Sequence, residues 1–321
     1  MKKITKVNIM FTAIILMYLI LIFTIRLIPL EYRPVNLMLI LPEVWFLVVA
    51  LLVCKILKSD AVKETEFRKV SIGTCFKSFI LAFLCMPLVS LINLLSSLVN
   101  GNAVQGTMGV VKANPIWLNL LLIAALPAVV EEFIFRGLIF GTYKKRNPFK
   151  GMLLSALLFG LMHMNINQFS YAFALGAILA ALYYATESIY PSIILHFTIN
   201  ATAVVLTYLT SGSSNTTKYS AEQQQMIDSY AAQGIDIEKI SYVMAIAVLI
   251  MMAIAGVALG IVLFRSICKH NRGIRSFNLI FKKPMRNTYV AEGKFIDGYL
   301  ILGMVLCGLY ILYRDILVNF L

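Results

Sequence analysis

The chain has 321 residues, of which 60% are hydrophobic and 13% charged, with a formal net charge of +13 and a mean hydropathy of +0.85. This composition excludes an ordinary soluble domain and a disordered chain, because both carry a larger share of charged and polar residues. The positive charge does not indicate nucleic-acid binding, because the Lys and Arg residues are spread over several loops without interleaved stacking aromatics.

Apolar stretches long enough to cross a hydrocarbon core of about 30 Å recur along the chain. They predict an all-α protein, a polytopic transmembrane helical bundle in which residues 1–321 form a single integral membrane domain. The first stretch begins like a signal peptide, but no small-residue cleavage site precedes Arg26, so we expect a retained helix. Eight or nine spans are expected, near residues 8–25, 36–54, 74–98, 115–142, 150–165, 169–187, 190–210, 241–264 and 296–318.

Basic residues concentrate in alternate connections between the spans, at 2–6, 55–69, 144–150 and 265–286. This is the positive-inside pattern, which predicts a cytoplasmic N-terminus and, with nine spans, a C-terminus outside. The pattern and the short basic N-terminus are typical of a multi-pass protein of a bacterial plasma membrane.

Two segments between spans are polar. Residues 211–238 predict an external polar loop with a short helix, because Ser220 and Gln223 have capping-box spacing. Residues 265–294 are basic, contain Pro284 and predict a cytoplasmic basic loop before the last span. The five cysteines show no CxxC pairing and are interpreted as packing residues.

The fourth span carries three ionisable residues within six positions, Glu131, Glu132 and Arg136. Each charge at the centre of a bilayer costs about 2.5–3.5 kcal/mol, so such residues indicate function. Glu132 and Arg136, four apart, share a helix face and can form an ion pair. Glu131 is turned about 100° away and suits general base catalysis. The alternative interpretation is a buried polar cluster that only joins helices.

Two histidines lie in later spans. His163 shares a helix face with Phe159, and His196 shares one with Asn200. A single His in an apolar helix is usually a packed residue with one satisfied hydrogen bond, but two such helices beside the acidic one favour a site. Counted from the basic loops, Glu131 and His163 lie about 20 Å deep, whereas His196 and Asn200 lie about 10–15 Å deep.

Two further charged residues fall within predicted spans, Glu43 and Lys77. For both we favour a side chain that reaches the interface or forms a local pair over a functional role.

The segments EEFIFR at Glu131–Arg136, FGLMH at Phe159–His163 and HFTIN at His196–Asn200 resemble the ordered motifs EExxxR, FxxxH and HxxxN of one family. This is the CAAX protease and bacteriocin-processing family, also called Abi. The resemblance covers roughly residues 115–205.

The resemblance implies an all-helical bundle with an intramembrane polar cavity and a catalytic core at 115–205. It implies an intramembrane endopeptidase related to the Ras-converting CAAX endopeptidases. In that family the residues matching Glu131 and His163 activate a water, and those matching His196 and Asn200 stabilise the oxyanion. The supporting residues would be Glu132 and Arg136, which orient the site, and Phe159.

Two histidines and a carboxylate also form a plausible catalytic zinc set with an open fourth position, here Glu131, His163 and His196. Family members are described as metalloproteases, whereas the glutamate–water scheme needs no metal. The spacing leaves both alternatives open, and we expect no other cofactor.

We expect a membrane-associated peptide or protein as the substrate, of the CAAX type or a bacteriocin or pheromone precursor, with bacteriocin immunity as one setting. The other expected partner is the lipid bilayer, and none is a nucleic acid. Two alternatives are a non-catalytic immunity or scaffold protein and a proton-coupled transporter. Transport is disfavoured because the sequence shows neither repeat symmetry nor broken helices.

Overall fold

The computed structural model describes residues 1–100, 114–211, 221–234, 236–281 and 293–317. In these ranges the chain is helical apart from turns and one isolated antiparallel bridge between Phe67 and Ser188. The helices are α1 (Lys3–Arg26), α2 (Val35–Ile56), α3 (Ala61–Glu64), α4 (Ile72–Asn100), α5 (Ile116–Tyr143), α6 (Pro148–Met162), α7 (Ile166–Thr186), α8 (Tyr190–Ser211), α9 (Ala221–Ala231), α10 (Ile237–Asn271), α11 (Arg275–Phe281) and α12 (Gly298–Leu312). A 3₁₀ turn at Leu30–Tyr32 precedes α2, and a π-helical turn at Tyr313–Leu317 extends α12.

Eight of these helices are long and apolar enough to cross a membrane: α1, α2, α4, α5, α7, α8, α10 and α12 with its π-helical turn. Helix α6 is apolar but has only 15 residues, so it is about 22 Å long and shorter than the hydrocarbon core. The predicted all-α polytopic bundle of eight or nine helices is therefore confirmed.

The basic connections meet at one end of the bundle, which we call the basic end. Glu64 links the N-terminus to the connection after α5, because it forms ion pairs with Lys3 at 2.8 Å and Lys145 at 2.9 Å. Glu187, between α7 and α8, pairs with Arg68 and Arg272, each at 3.0 Å. The basic loops thus share one side, as the positive-inside pattern requires, while the orientation in a membrane stays a prediction.

Helix α5 lies at the centre of the main core. Ile134, Phe135 and Ile139 of α5 are almost completely buried, in one cluster with Phe11 of α1 and Phe46 of α2. Burial of α5 from several sides places its charged residues inside the protein.

Helices α4 and α10 form a second packed unit that contacts α7 and α8. Their backbones approach closely at Gly256, where a Cβ atom would lie 2.3 Å from the carbonyl oxygen of Leu84. Only glycine fits there without moving a helix.

The predicted polar loops turn out to be partly helical. Helix α9 agrees with the short helix expected within 211–238, although residues 212–220, which include Ser220, and 235 lie outside the described residues. The prediction of a loop at 265–294 is wrong for its first half, because α10 continues to Asn271 and α11 follows at Arg275–Phe281. Basic side chains are good helix formers and favour a helix C-terminus, so their charge did not mark a loop. Residues 282–292 lie outside the described part.

Candidate active site

Helix α5, which carries the acidic motif, is irregular on both sides of it. A π-helical segment at Leu120–Ala125 comes before the α-helical segment Leu126–Glu132, and a second π-helical segment follows at Phe133–Phe140. Such wider turns occur often at functional sites. The Ser155 hydroxyl of α6 donates to the carbonyl of Phe135 within the second π-segment at 2.9 Å, which ties α6 to α5.

The predicted ion pair between Glu132 and Arg136 is confirmed. Arg136 Nη1 lies 2.9 Å from Glu132 Oε1, and both side chains are completely buried. Arg136 Nη2 donates to the carbonyl of Gly176 on α7 at 3.2 Å, and the guanidinium lies 4.3 Å from the centre of the Phe159 ring. The pair therefore holds α5, α6 and α7 together, and its partners offset the desolvation of both charges.

His196 of α8 lies between the two glutamates. Its Nδ1 is 3.0 Å from Glu132 Oε1, and its Nε2 is 3.7 Å from Glu131 Oε2. Because a carboxylate accepts hydrogen bonds, Nδ1 is the donor and Glu132 sets the orientation of the ring. The 3.7 Å separation exceeds a direct hydrogen bond, so Glu131 keeps its hydrogen-bonding capacity towards the site.

His163 follows the last residue of α6, with its ring fixed by Phe159. Its Nδ1 is 2.8 Å from the Phe159 carbonyl oxygen, which only accepts, so Nδ1 carries the proton and Nε2 keeps the lone pair of a neutral ring. The Phe159 ring packs edge-on against both imidazoles, with centroids at 5.1 Å for His163 and 5.9 Å for His196. Phe159 thus contacts three of the polar motif residues, counting Arg136, and this is a physical basis for its supporting role.

The turn that carries His163 is held by the last helix. Met164 has a left-handed backbone with φ +55°, and Asp315 Oδ2 accepts a hydrogen bond from the Ile166 N–H at 2.6 Å. Arg314 Nη1 donates to the Met164 carbonyl at 3.4 Å. Sequence reasoning missed Asp315 and Arg314, because they lie about 150 positions away in a span interpreted only as scaffold.

Asn200 lies one helical turn after His196, as predicted. Its Nδ2 donates to the carbonyl of Ile123, in the first π-segment, at 3.3 Å. The structure thus brings Glu131, Glu132 and His196 into one cluster despite the different depths expected for them. His163 joins this cluster through the Phe159 ring, and Asn200 borders it through α5 backbone.

Glu43 of α2 is a third residue whose position beside the site the sequence did not predict. It is only 8% exposed, its Oε2 has no hydrogen-bond partner among the described residues, and its carboxylate interacts electrostatically with that of Glu131. The predicted interface position or local pair is wrong for Glu43, because its side chain is buried in the bundle, where α2 packs against α5. The same prediction agrees with the structure for Lys77, whose Nζ donates to Ser266 Oγ at 2.9 Å near the basic end.

The zinc alternative requires Glu131, His163 and His196 to converge on one point. Within the described ranges, no three His, Cys, Asp or Glu side chains form a group that could hold a metal ion. Both Nδ1 atoms bond to protein oxygens, which leaves only the two Nε2 atoms as possible histidine ligands. The described side chains are therefore not arranged as a zinc site, and the zinc alternative stays a prediction.

Comparison with known proteins identifies the central segment. Residues 113–202, which include all three motifs, match the family described as "Type II CAAX prenyl endopeptidase Rce1-like". The chain is also similar to the Bacillus subtilis (strain 168) protein named "Putative membrane peptidase YdiL", with 32% identity over 103 residues. That similarity covers 32% of this chain and 41% of the relative, so the chain spans about two fifths of the length of the curated relative it matches. No solved structure matches.

Proposed function

We propose that this chain, whose residues 113–202 match the CAAX prenyl endopeptidase family, is an intramembrane endopeptidase that cleaves a membrane-associated peptide or protein. One observation carries the proposal. Glu131 is a buried carboxylate outside the Glu132–Arg136 ion pair, and it faces a histidine whose other nitrogen that pair anchors. A cluster that only joined helices would not need an uncommitted carboxylate beside an oriented imidazole.

The first step assigns the general base. Glu131 accepts a proton from water, and the resulting hydroxide oxygen attacks the carbonyl carbon of the substrate peptide bond. His163, with its Nε2 lone pair free, serves as a second acceptor that orients the same water. The proton held by Glu131 then passes to the leaving amine as the carbon–nitrogen bond breaks, so that no proton is gained or lost.

The second step assigns the oxyanion donors. Asn200 Nδ2 now makes a long hydrogen bond of 3.3 Å to a backbone carbonyl, which a developing oxyanion can replace because it is a stronger acceptor. His196 can donate from Nε2 in the form in which both of its nitrogens carry protons. Each such donor typically contributes about 10² to 10³ in rate.

The supporting residues keep these groups in place. Glu132 and Arg136 orient His196 and brace α7 through the carbonyl of Gly176, while the Phe159 ring packs against both imidazoles. In a site this buried, fixed dipoles and charges act more strongly than in bulk water.

The proposal includes a location and a class of substrate. The shared basic end supports a bacterial plasma membrane with a cytoplasmic N-terminus. A CAAX-type protein or a bacteriocin or pheromone precursor, with a role in bacteriocin immunity, is the class that we propose.

The test is paired N- and C-terminal peptide profiling of membranes and medium from cells that express wild-type protein or Glu131→Gln at matched levels. We expect specific cleavage products to disappear in Glu131→Gln, because the amide cannot accept the water proton. Glu31→Gln is the matched control, since Glu31 lies exposed in the Leu30–Tyr32 turn. Identical profiles, with the cellular phenotype intact in Glu131→Gln, would contradict the protease and favour the scaffold.

A further inference from the structure

A second cavity lies away from the candidate site, between helices α4, α7 and α10. It has a volume of about 350 Å³, and all of its lining side chains are apolar. Met152 of α6 and Phe277 of α11 line it near the basic end. Small residues on two walls leave this space open: Ala177 and Ala181 on α7, and Gly256 and Gly260 on α10.

The shape of the cavity follows the helices. Its lining extends from Leu81 to Leu88 on α4 and from Gly256 to Phe264 on α10, or about 10–12 Å along the helix axes. It is therefore a slot that runs roughly across the membrane, with one end near the basic end of the bundle.

The lining decides what can fill the slot. A buried water needs two to four polar partners, and these walls present apolar side chains. An empty space would forfeit van der Waals contacts on all sides, whereas lipid chains next to the protein can supply them. An acyl chain is the occupant that matches both the walls and the surroundings.

Two cations continue the lining stripes towards the basic end. Lys77 lies one helical turn before Leu81 on α4, and Arg265 lies one turn after Ile261 on α10. Both cations contact the same end of the α10–α11 region: Lys77 Nζ donates to Ser266 Oγ at 2.9 Å, and the Arg265 guanidinium lies 5.5 Å from the Phe277 ring centre.

Neither cation has an acidic partner in the part of the chain that the structure describes, because the ion pairs at this end involve other basic residues. Basic pockets between transmembrane helices at a membrane surface bind anionic lipid headgroups, and arginine can bind a phosphate through two parallel hydrogen bonds.

We propose that this slot binds one acyl chain of an anionic phospholipid from the leaflet at the basic end, with the lipid phosphate held by Arg265 and Lys77. The acyl chain provides packing contacts, and the phosphate provides selectivity among lipids. The reason is that an acyl chain gains little free energy by moving from the bilayer to the protein. The proposal does not depend on the candidate active site.

The test measures lipid binding to the delipidated full-length protein in detergent by native mass spectrometry. Phosphatidylglycerol and phosphatidylcholine with identical chains are titrated separately. We expect phosphatidylglycerol to bind more tightly, and the combined variant Lys77→Gln/Arg265→Gln to weaken its binding about 30-fold, to the level of phosphatidylcholine. Lys55→Gln, which removes an exposed charge from the same end of α2, should leave both affinities unchanged.

A second variant tests the chain position. Ala181→Phe fills the slot from the α7 wall, so we expect both lipids to bind more weakly. The preference for phosphatidylglycerol should disappear as well, because the acyl chain can no longer enter the slot. If thermal unfolding shows that Ala181→Phe does not fold, Ala177→Leu serves as the filling variant instead, because Ala177 lies one helical turn away on the same wall. Equal affinities of the wild type for the two lipids, or unchanged phosphatidylglycerol binding in a folded filling variant, would overturn the proposal.

Discussion

Helix α5 buries 50% of its most apolar membrane-spanning window inside the protein, whereas helix α10 buries 17% of its window. Both are long and apolar, so hydrophobicity does not explain which one becomes central. Helix α5 carries two acids and an arginine and has two π-helical segments, while α10 has no charged residue between Lys239 and Arg265 and is regular throughout. In a bilayer, polar groups and close backbone contacts decide burial, because lipid is as apolar as a leucine side chain.

The largest expected effect on stability, which tests this contrast between α5 and α10, concerns the buried ion pair of α5. Arg136→Gln leaves Glu132 buried without its cation, so we expect a loss of about 3–5 kcal/mol in the free energy of unfolding. The measurement is denaturant unfolding in detergent. The combined variant Glu132→Gln/Arg136→Gln should recover most of this loss, because no uncompensated charge remains.

The control for this prediction lies on α10. Arg265→Gln removes an exposed arginine without a described ion pair, and we expect a change within about 0.5 kcal/mol. Equal losses for Arg136→Gln and Arg265→Gln would break the contrast between the two helices.

A second prediction asks what holds α10 to the bundle. Gly256→Ala places a Cβ atom 2.3 Å from the Leu84 carbonyl oxygen, so the two helices must separate and we expect a loss of about 1–3 kcal/mol. Gly260→Ala is the matched control, since its nearest neighbour, a Leu81 methyl carbon, lies at 3.5 Å. Thermal unfolding of both variants distinguishes a specific close contact from general helix propensity, which favours alanine at both positions.

A third prediction extends the comparison to the turn that carries His163. Asp315→Ala removes the acceptor of the Ile166 N–H, so His163 loses a fixed position and we expect a roughly tenfold lower kcat with little change in KM. Asp315→Asn keeps an acceptor and should recover part of the rate. A parallel loss of folded protein and activity, with kcat per folded molecule unchanged, would reduce Asp315 to a packing role.

The smallest effect lies at the basic end. Burial by itself raises the pKa of Glu64, but hydrogen bonds from Lys3 and Lys145 outweigh burial and hold that pKa below its ordinary value. A carboxyl with a depressed folded pKa stabilises the protein above its unfolded pKa, and this contribution is lost as the pH falls through the folded pKa.

Glu64→Gln should therefore lower the stability at pH 7 by less than about 1 kcal/mol, because Lys3 is largely exposed and solvent screens the pair. The difference from wild type should shrink as the pH falls below 4.5, the ordinary value for this carboxyl. Unfolding midpoints measured across this range check the sign, and a difference that does not change with pH would contradict it.

Several features of the protein could be predicted from local sequence. Apolar stretches located the spans, because a membrane helix must satisfy its backbone within one segment. The four-residue spacing of Glu132 and Arg136 predicted their ion pair, since neighbours on a helix face are set by a fixed period. The basic residues of α10 and α11 misled the prediction of a loop, because charge and helix propensity are separate properties.

The sequence by itself determined the helical class, the alternation of basic loops and the three motifs, since each depends on residues close together in the chain. Only the tertiary structure decided that His196 faces both glutamates, that Asp315 holds the His163 turn and that Glu43 is buried near Glu131. These contacts join residues 64, 149 and 88 positions apart, and their geometry depends on how whole helices tilt and rotate against one another. No local period encodes that packing, because in a bilayer many arrangements of apolar helices bury similar surfaces and a few polar contacts select among them.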